Sequence, residues 1–265
     1  MASGSTRVIL SLLVLSLAAP AAARRSKKRP MRTVKHIVLD PGHGGDNMGT
    51  PGGHGVHEKY LTLPIALELE KLLLAKTDAK VTLTRRDDAF VGLRERTHMA
   101  NAASGDVFMS IHCNASPKES ARGIEVYFLS MDSSTSEIAR LVAKEEGEET
   151  SRALPAPGPR ESKTPRGLEA MMREAQMHRA HEQSQRLAEI TLQSLYKVLR
   201  APRRGVFQAP FGVLKEAEMP AVVVEVGFST HPAEGKKLTT TRYQKQIARA
   251  LFEALITLDA QGAKR

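Results

Sequence analysis

Two histidines and two glutamates stand where strands would hand over to loops or helices. His43 lies in DPGHGGDNMG (40–49), His112 in SIHCNA (110–115) and Glu225 in VEVGFS (224–229). Glu58 opens a helical stretch after the first glycine-rich loop. Two imidazoles and a carboxylate with one open position are a common catalytic zinc arrangement. The open position takes water, whose pKa the metal lowers toward about 7, and a second carboxylate off the metal then acts as general base. Four such residues suffice to hydrolyse an amide. The spacing does not divide the two roles between the glutamates.

Each residue alone has an ordinary alternative. His112 could be a hydrogen-bonded histidine beside a strand, and Glu58 a carboxylate favoured by a helix N-terminus. Glu225 is harder to explain away. It interrupts the apolar run AVVVEV (221–226), where an uncompensated carboxylate is costly. His54 and His57 sit in a glycine-rich loop with no strand to fix them, and His36 falls inside its strand, where packing is expected. Cys113 follows His112, so its side chain should face the other way. The 40–49 loop is not a dinucleotide fingerprint, because Asn47 occupies the third glycine position of GxGxxG.

The elements that must position these residues read as an alternation. Strands are predicted at 35–40, 81–84, 107–111, 124–129 and 221–226. Helices are predicted at 60–76, with Pro64 in its first turn, and at 93–103, 136–149, 178–199 and 243–258. Such alternation implies an α/β sheet covered on both faces. In open sheets of this kind, ligands gather beyond the carboxyl ends of the strands. His43, His112 and Glu225 would therefore meet at one rim.

Composition agrees with a soluble globular chain. Of 265 residues, 41% are apolar and 26% charged, which excludes full disorder, a collagen repeat and a multi-span membrane protein. Lys plus Arg exceed Asp plus Glu by 10, 39 against 29, so attraction to polyanions is expected. The single cysteine excludes an intrachain disulfide.

The first 23 residues read as a secretory signal. Arg7 precedes an apolar run (8–17), which ends in an Ala-Pro-Ala-Ala-Ala cleavage region. A basic leader follows at 24–34. Export to the periplasm or outside the cell argues against a nucleic-acid partner. No stable membrane anchor and a monomeric state are expected.

Beyond these residues a family resemblance becomes specific. DPGHGG (40–45), Glu58-Lys59, LTRRDD (83–88), LRERTHMAN (93–101), DVFMSIHCNAS (106–116), RGIEVYFLS (122–130) and FGVLKEAEMPAVVVEVGFSTHPAEGKKL (211–238) occur in order. Together they resemble the zinc-dependent N-acetylmuramoyl-L-alanine amidases, from about residue 36 to 258. The resemblance implies one catalytic domain, 35–260, folded as a three-layer α/β sandwich. Its mostly parallel central sheet would have about six strands. It implies cleavage of the amide between N-acetylmuramic acid and L-alanine in peptidoglycan. It assigns Zn²⁺ to His43, Glu58 and His112, and catalysis to Glu225. A wall-binding module with a dead site, and a zinc peptidase acting elsewhere on the stem peptide, are the competing readings. Asn114 is a candidate to orient ligands. Arg85, Arg94 and Arg96 are expected to pair with Asp87, Asp88 or Glu95.

Residues 150–177 exceed what a compact fold needs. Pro155, Pro157, Pro159 and Pro165 predict an extended loop, and GLEAMMREAQM (167–177) a short amphipathic helix. By resemblance to division-associated amidases, this insert would cover the zinc cleft until an activator protein displaces it. Glu161, Glu169 and Glu174 are the acids that could fill the open metal position.

Overall fold

The computed structural model of the protein describes residues 28–130, 144 and 166–263. The expected signal segment, the start of the basic leader, the 136–149 helix (apart from Lys144), the 150–165 loop and Glu161 lie outside the described residues. So do the side chains of Glu169 and Glu174.

Six strands form one sheet: β1 (His36–Pro41), β2 (Lys80–Leu83), β3 (Val107–Asn114), β4 (Ile124–Leu129), β5 (Arg203–Ala209) and β6 (Ala221–Phe228). Their order is β2-β1-β3-β6-β4-β5. Every pairing is parallel except β4 with β6. Five helices flank the sheet among the described residues: α1 (Lys59–Lys76), α2 (Leu93–Ala102), α3 (Arg166–Leu199), α4 (Pro232–Leu238) and α5 (Thr241–Gly262). This is the expected sandwich with a mostly parallel sheet.

Strand alternation sorts the side chains. Ile37 and Leu39, Met109, Ile111 and Cys113, and Val222, Val224 and Val226 face the larger core, with α1, α3 and α5. Val38, Phe108 and Val223 face a smaller core with Phe211 and Leu214. Asp40, Ser110, His112 and Glu225 share the smaller face by the same period of two. Both faces are covered, so every residue of β1, β3 and β6 is buried. Cys113 thus turns away from His112, as expected.

Several elements differ from their predicted form. β5 was not foreseen; RRGVFQA (203–209) opens with two charges and a glycine, so it lacks an apolar period. β3 continues to Asn114, which places His112 inside the strand. Pro64 lies in the second turn of α1. The 167–177 segment is no separate helix. It is the start of α3, because nothing between Leu168 and Leu199 breaks a helix. Ser184 of α3 accepts from the Ala221 N–H at the amino end of β6, 2.9 Å away. Residues 166–177 therefore rise from the sheet edge opposite the carboxyl ends of β1, β3 and β6.

One buried ion pair ties the strands to the first loop. Asp40 accepts from Thr84 Oγ1 at 2.5 Å, Ser110 Oγ at 2.6 Å and Arg96 Nη1 at 2.8 Å. Arg96, 1% exposed, also donates to the carbonyls of Val91, Pro41 and His43, each at 2.8 Å. Arg85 donates to the carbonyls of Pro41, Gly42, Lys59 and Asp87. Burial and the neighbouring Arg96 lower its pKa to about 10. The expected partners of these arginines are thus corrected. Arg96 pairs with Asp40, Arg94 with Glu216, and Arg85 holds backbone carbonyls.

Burial pushes the Asp40 carboxyl up, but Arg96, Ser110 and Thr84 together hold it below its ordinary value. A carboxyl depressed on folding stabilises above its unfolded pKa and loses that contribution as pH falls. Asp40→Asn should cost about 3–5 kcal/mol near neutral pH, because the Arg96 charge is left buried and unpaired. The gap to wild type should begin to narrow as pH falls below about 4, where Asp40 of the unfolded chain takes up a proton, and should close only below the lower native value. Urea unfolding across that range checks both statements.

Candidate metal centre

The loop after β1 delivers His43 in a conformation that only its surroundings can hold. His43 has φ 59°, a left-handed backbone that costs a non-glycine residue of order 1–3 kcal/mol. Arg96 grips the carbonyls on either side of the turn, at Pro41 and His43. His43 Nδ1 bonds Asn47 Oδ1 at 2.9 Å, which directs Nε2 inward. Asn47 Oδ1 also accepts from the Gly49 N–H.

Glu58 is the N-cap residue of α1, yet its side chain makes no cap bond. It turns instead to the histidines. Oε2 lies 2.9 Å from His43 Nε2, and Oε1 lies 3.1 Å from His112 Nδ1. Oε1 also accepts from the Cys113 N–H at 2.8 Å. Oε2 accepts from the N–H and hydroxyl of Thr50. Burial pushes the Glu58 carboxyl up, but the two imidazoles outweigh it and hold it well below the ordinary carboxylate range. The helix-dipole reading of Glu58 is therefore set aside.

The ligand atoms of His43, Glu58 and His112 lie within 4.8 Å of one another, and all three residues are buried. A neutral imidazole pair with an ionised carboxylate at this separation is a donor set that fits a divalent metal of borderline softness. The backbone makes the closeness feasible. A Cβ at Gly42 would meet the His112 ring at 2.4 Å. One at Gly49, where φ is +64°, would meet His43 Cδ2 at 2.6 Å and Glu58 Cβ at 2.7 Å.

Glu225 sits beside His112 across β3 and β6, and beside Glu125 across β6 and β4. Both carboxylates are buried. Glu125 accepts from Asn114 Nδ2 and Tyr127 Oη, each at 2.7 Å, and from Arg204 Nε. Asn114 thus serves Glu125 rather than a metal ligand. Burial first, then Glu125, pushes the Tyr127 phenol above its ordinary pKa, so it stays a donor. Sequence reasoning missed Asn47, Thr50, Tyr127 and Arg204. Their roles depend on strand pairing and loop folding, which leave no spacing signal. His54 and His36 lie elsewhere, bonded to the Pro232 carbonyl and to Thr82.

Comparison with known proteins places this geometry in context. The N-acetylmuramoyl-L-alanine amidase (Amidase_3) family profile matches residues 37–257. The chain is 32% identical to AmiC of Neisseria meningitidis over 227 residues, 86% of this chain and 52% of that protein. It is 32% identical to AmiA of Escherichia coli over 222 residues, 83% of this chain and 75% of that protein. It spans about half the length of the AmiC relatives it matches. The crystal structure of an N-acetylmuramoyl-L-alanine amidase from Clostridium difficile 630 superposes with a TM-score of 0.63 at 27% identity. That alignment covers 85% of this chain and 97% of the other.

A methyl group at Gly42 leaves the His112 ring no room. Gly42→Ala should weaken divalent-metal affinity by about 10–100-fold, the usual loss when a ligand's support is disturbed. Competition against a chromophoric chelator reads this directly, and wild-type affinity would mean the ring moves freely.

Proposed function

The chain belongs to the N-acetylmuramoyl-L-alanine amidase family, and on that premise we propose that it hydrolyses the amide between N-acetylmuramic acid and L-alanine in peptidoglycan, with zinc as its metal. The observation that carries the reading is the buried His43–Glu58–His112 triad, with Glu225 on the adjoining strand.

Zinc bound by this triad would supply an open coordination position and lower the pKa of a water held there toward about 7. The protein's own groups do the rest. Asn47 fixes the His43 tautomer that points Nε2 inward. Thr50 and the Cys113 N–H hold the Glu58 carboxylate. A Glu225 carboxylate oxygen accepts the proton of the attacking water. It then returns the proton to the alanine nitrogen as the C–N bond breaks. Its place beside His112 and its burial support this role. Glu125 is the other buried carboxylate beside it. Three donors hold it in one orientation.

The reading includes export through the 1–23 signal and one catalytic domain over 35–260. No helix among the described residues is long and apolar enough to cross a membrane. It also includes restraint by the insert. With 166–177 committed to α3, the covering role falls to 150–165, and an activator would find Met171, Met172 and Met177 exposed on α3.

Mass analysis of muropeptides, with and without a strong chelator, tests bond and metal together. Cleavage between muramic acid and alanine, lost on chelation and restored by zinc, is expected. Cleavage within the stem peptide, or full turnover without metal, overturns the reading. Glu225→Gln should retain its metal and lose about 10²-fold or more in rate.

Replacing 150–165 by a short Gly-Ser bridge should raise basal activity at unchanged metal content. A folded, metal-loaded deletion no faster than the full chain refutes the restraint.

A further inference from the structure

A second concave site lies at the same edge of the sheet, on the other face. Three connections bound it: the loop before β4, the link from α3 to β5, and the link from β6 through α4. All three sit at the edge where β6 ends, because β4 and β5 run opposite to β6. Tyr243, which lines it, belongs to the larger core, whereas His112 and Glu225 share the smaller face. The cavity has a volume of about 500 Å³, the size of a small-molecule or short-peptide site.

Its lining is strongly cationic. Arg122, Arg200, Arg203 and Lys237 converge on it, all four exposed. No carboxylate among the described residues forms an ion pair with any of them. The one acid in the wall, Glu234, is buried and turned to the backbone, accepting from the Gly123 and Phe228 N–H groups. His231 at the rim is likewise committed to the first turn of α4. Tyr196, half exposed, adds an aromatic face, and Tyr243 a phenol that burial and Glu234 push up to about 12. Three guanidiniums and an ammonium outnumber the single carboxylate in the wall and repel one another. They suit a ligand that brings several anionic groups, and guanidinium forks match carboxylates bidentately.

We propose that this cavity is a second, non-hydrolytic peptidoglycan subsite, which binds the free carboxylates of a stem peptide on a strand neighbouring the one being cut. It rests on the proposed wall substrate. A concave pocket favours a short peptide over a bilayer surface or a duplex. Its position lets a crosslinked substrate wrap the sheet edge, with one stem at the metal centre and another in the pocket.

The test titrates purified stem peptide with free carboxylates into the metal-loaded Glu225→Gln protein and reads stoichiometry. Two sites are expected. Arg203→Glu with Lys237→Glu should remove one and keep the other. The milder Arg203→Gln with Lys237→Gln should weaken that site about tenfold, the loss expected for a charge-assisted pair. Lys71→Glu with Arg249→Glu makes the same charge change elsewhere and should keep both sites. A parent protein with no site that the pocket variants remove overturns the proposal. So do two sites that survive the pocket variants, loss in the distant-charge control, or equal displacement by inorganic phosphate. If muropeptides are not cut at the muramyl amide while the second site persists, the catalytic reading falls and the pocket stands.

Discussion

The Asp40–Arg96 pair is the contact on which the site depends. It stands under the carboxyl end of β1, so the strand stops there and the chain turns through Pro41 and Gly42. A buried ion pair is weak evidence for stability, since desolvation opposes attraction. Its value here is positional. The same guanidinium that neutralises Asp40 also holds the His43 carbonyl. The left-handed turn at His43 is thus fixed from beneath by an interaction that cannot shift without exposing a charge. Arg85 repeats the arrangement one residue along, and its bond to the Lys59 carbonyl links the loop to the helix that carries Glu58.

Two carboxylates side by side, Glu125 and Glu225, would repel in a low-dielectric interior. The protein separates their roles by hydrogen bonding. Asn114, Tyr127 and Arg204 all serve Glu125. Those three donors hold Glu125 in one orientation, which suits the proposal that Glu225 is the base. The environment around paired acids, more than their identity, divides such labour.

Much of this was legible in the sequence because it follows from periodicity. Strands 1, 3 and 6 announce themselves as apolar runs, and the period of two puts His112 and Glu225 on one face with Cys113 on the other. The glycine-rich loop after β1 marked His43. Glu58 was ambiguous, since a glutamate opening a helix has a good local reason to be there. What stayed hidden depends on pairing between distant segments. Arg96 meets Asp40, and Arg204 meets Glu125, only once the sheet order is set. β5 escaped because its charges and glycine carry no strand period. The continuity of α3 escaped because sequence reasoning joined an amphipathic segment to a loop rather than to the helix after it.

The reversal of β4 against β6 has an architectural effect. It carries the end of β4, Leu129, to the sheet edge remote from His43, Glu58 and His112, and α3 begins its return from that same edge. The long connection between them is therefore tethered away from the reaction chemistry at both ends. Such a tether makes the connection a module. Its length and sequence can drift while the loop, helix and strands that carry His43, Glu58 and His112 keep their geometry. Change in the connection is then uncoupled from change at the candidate metal centre.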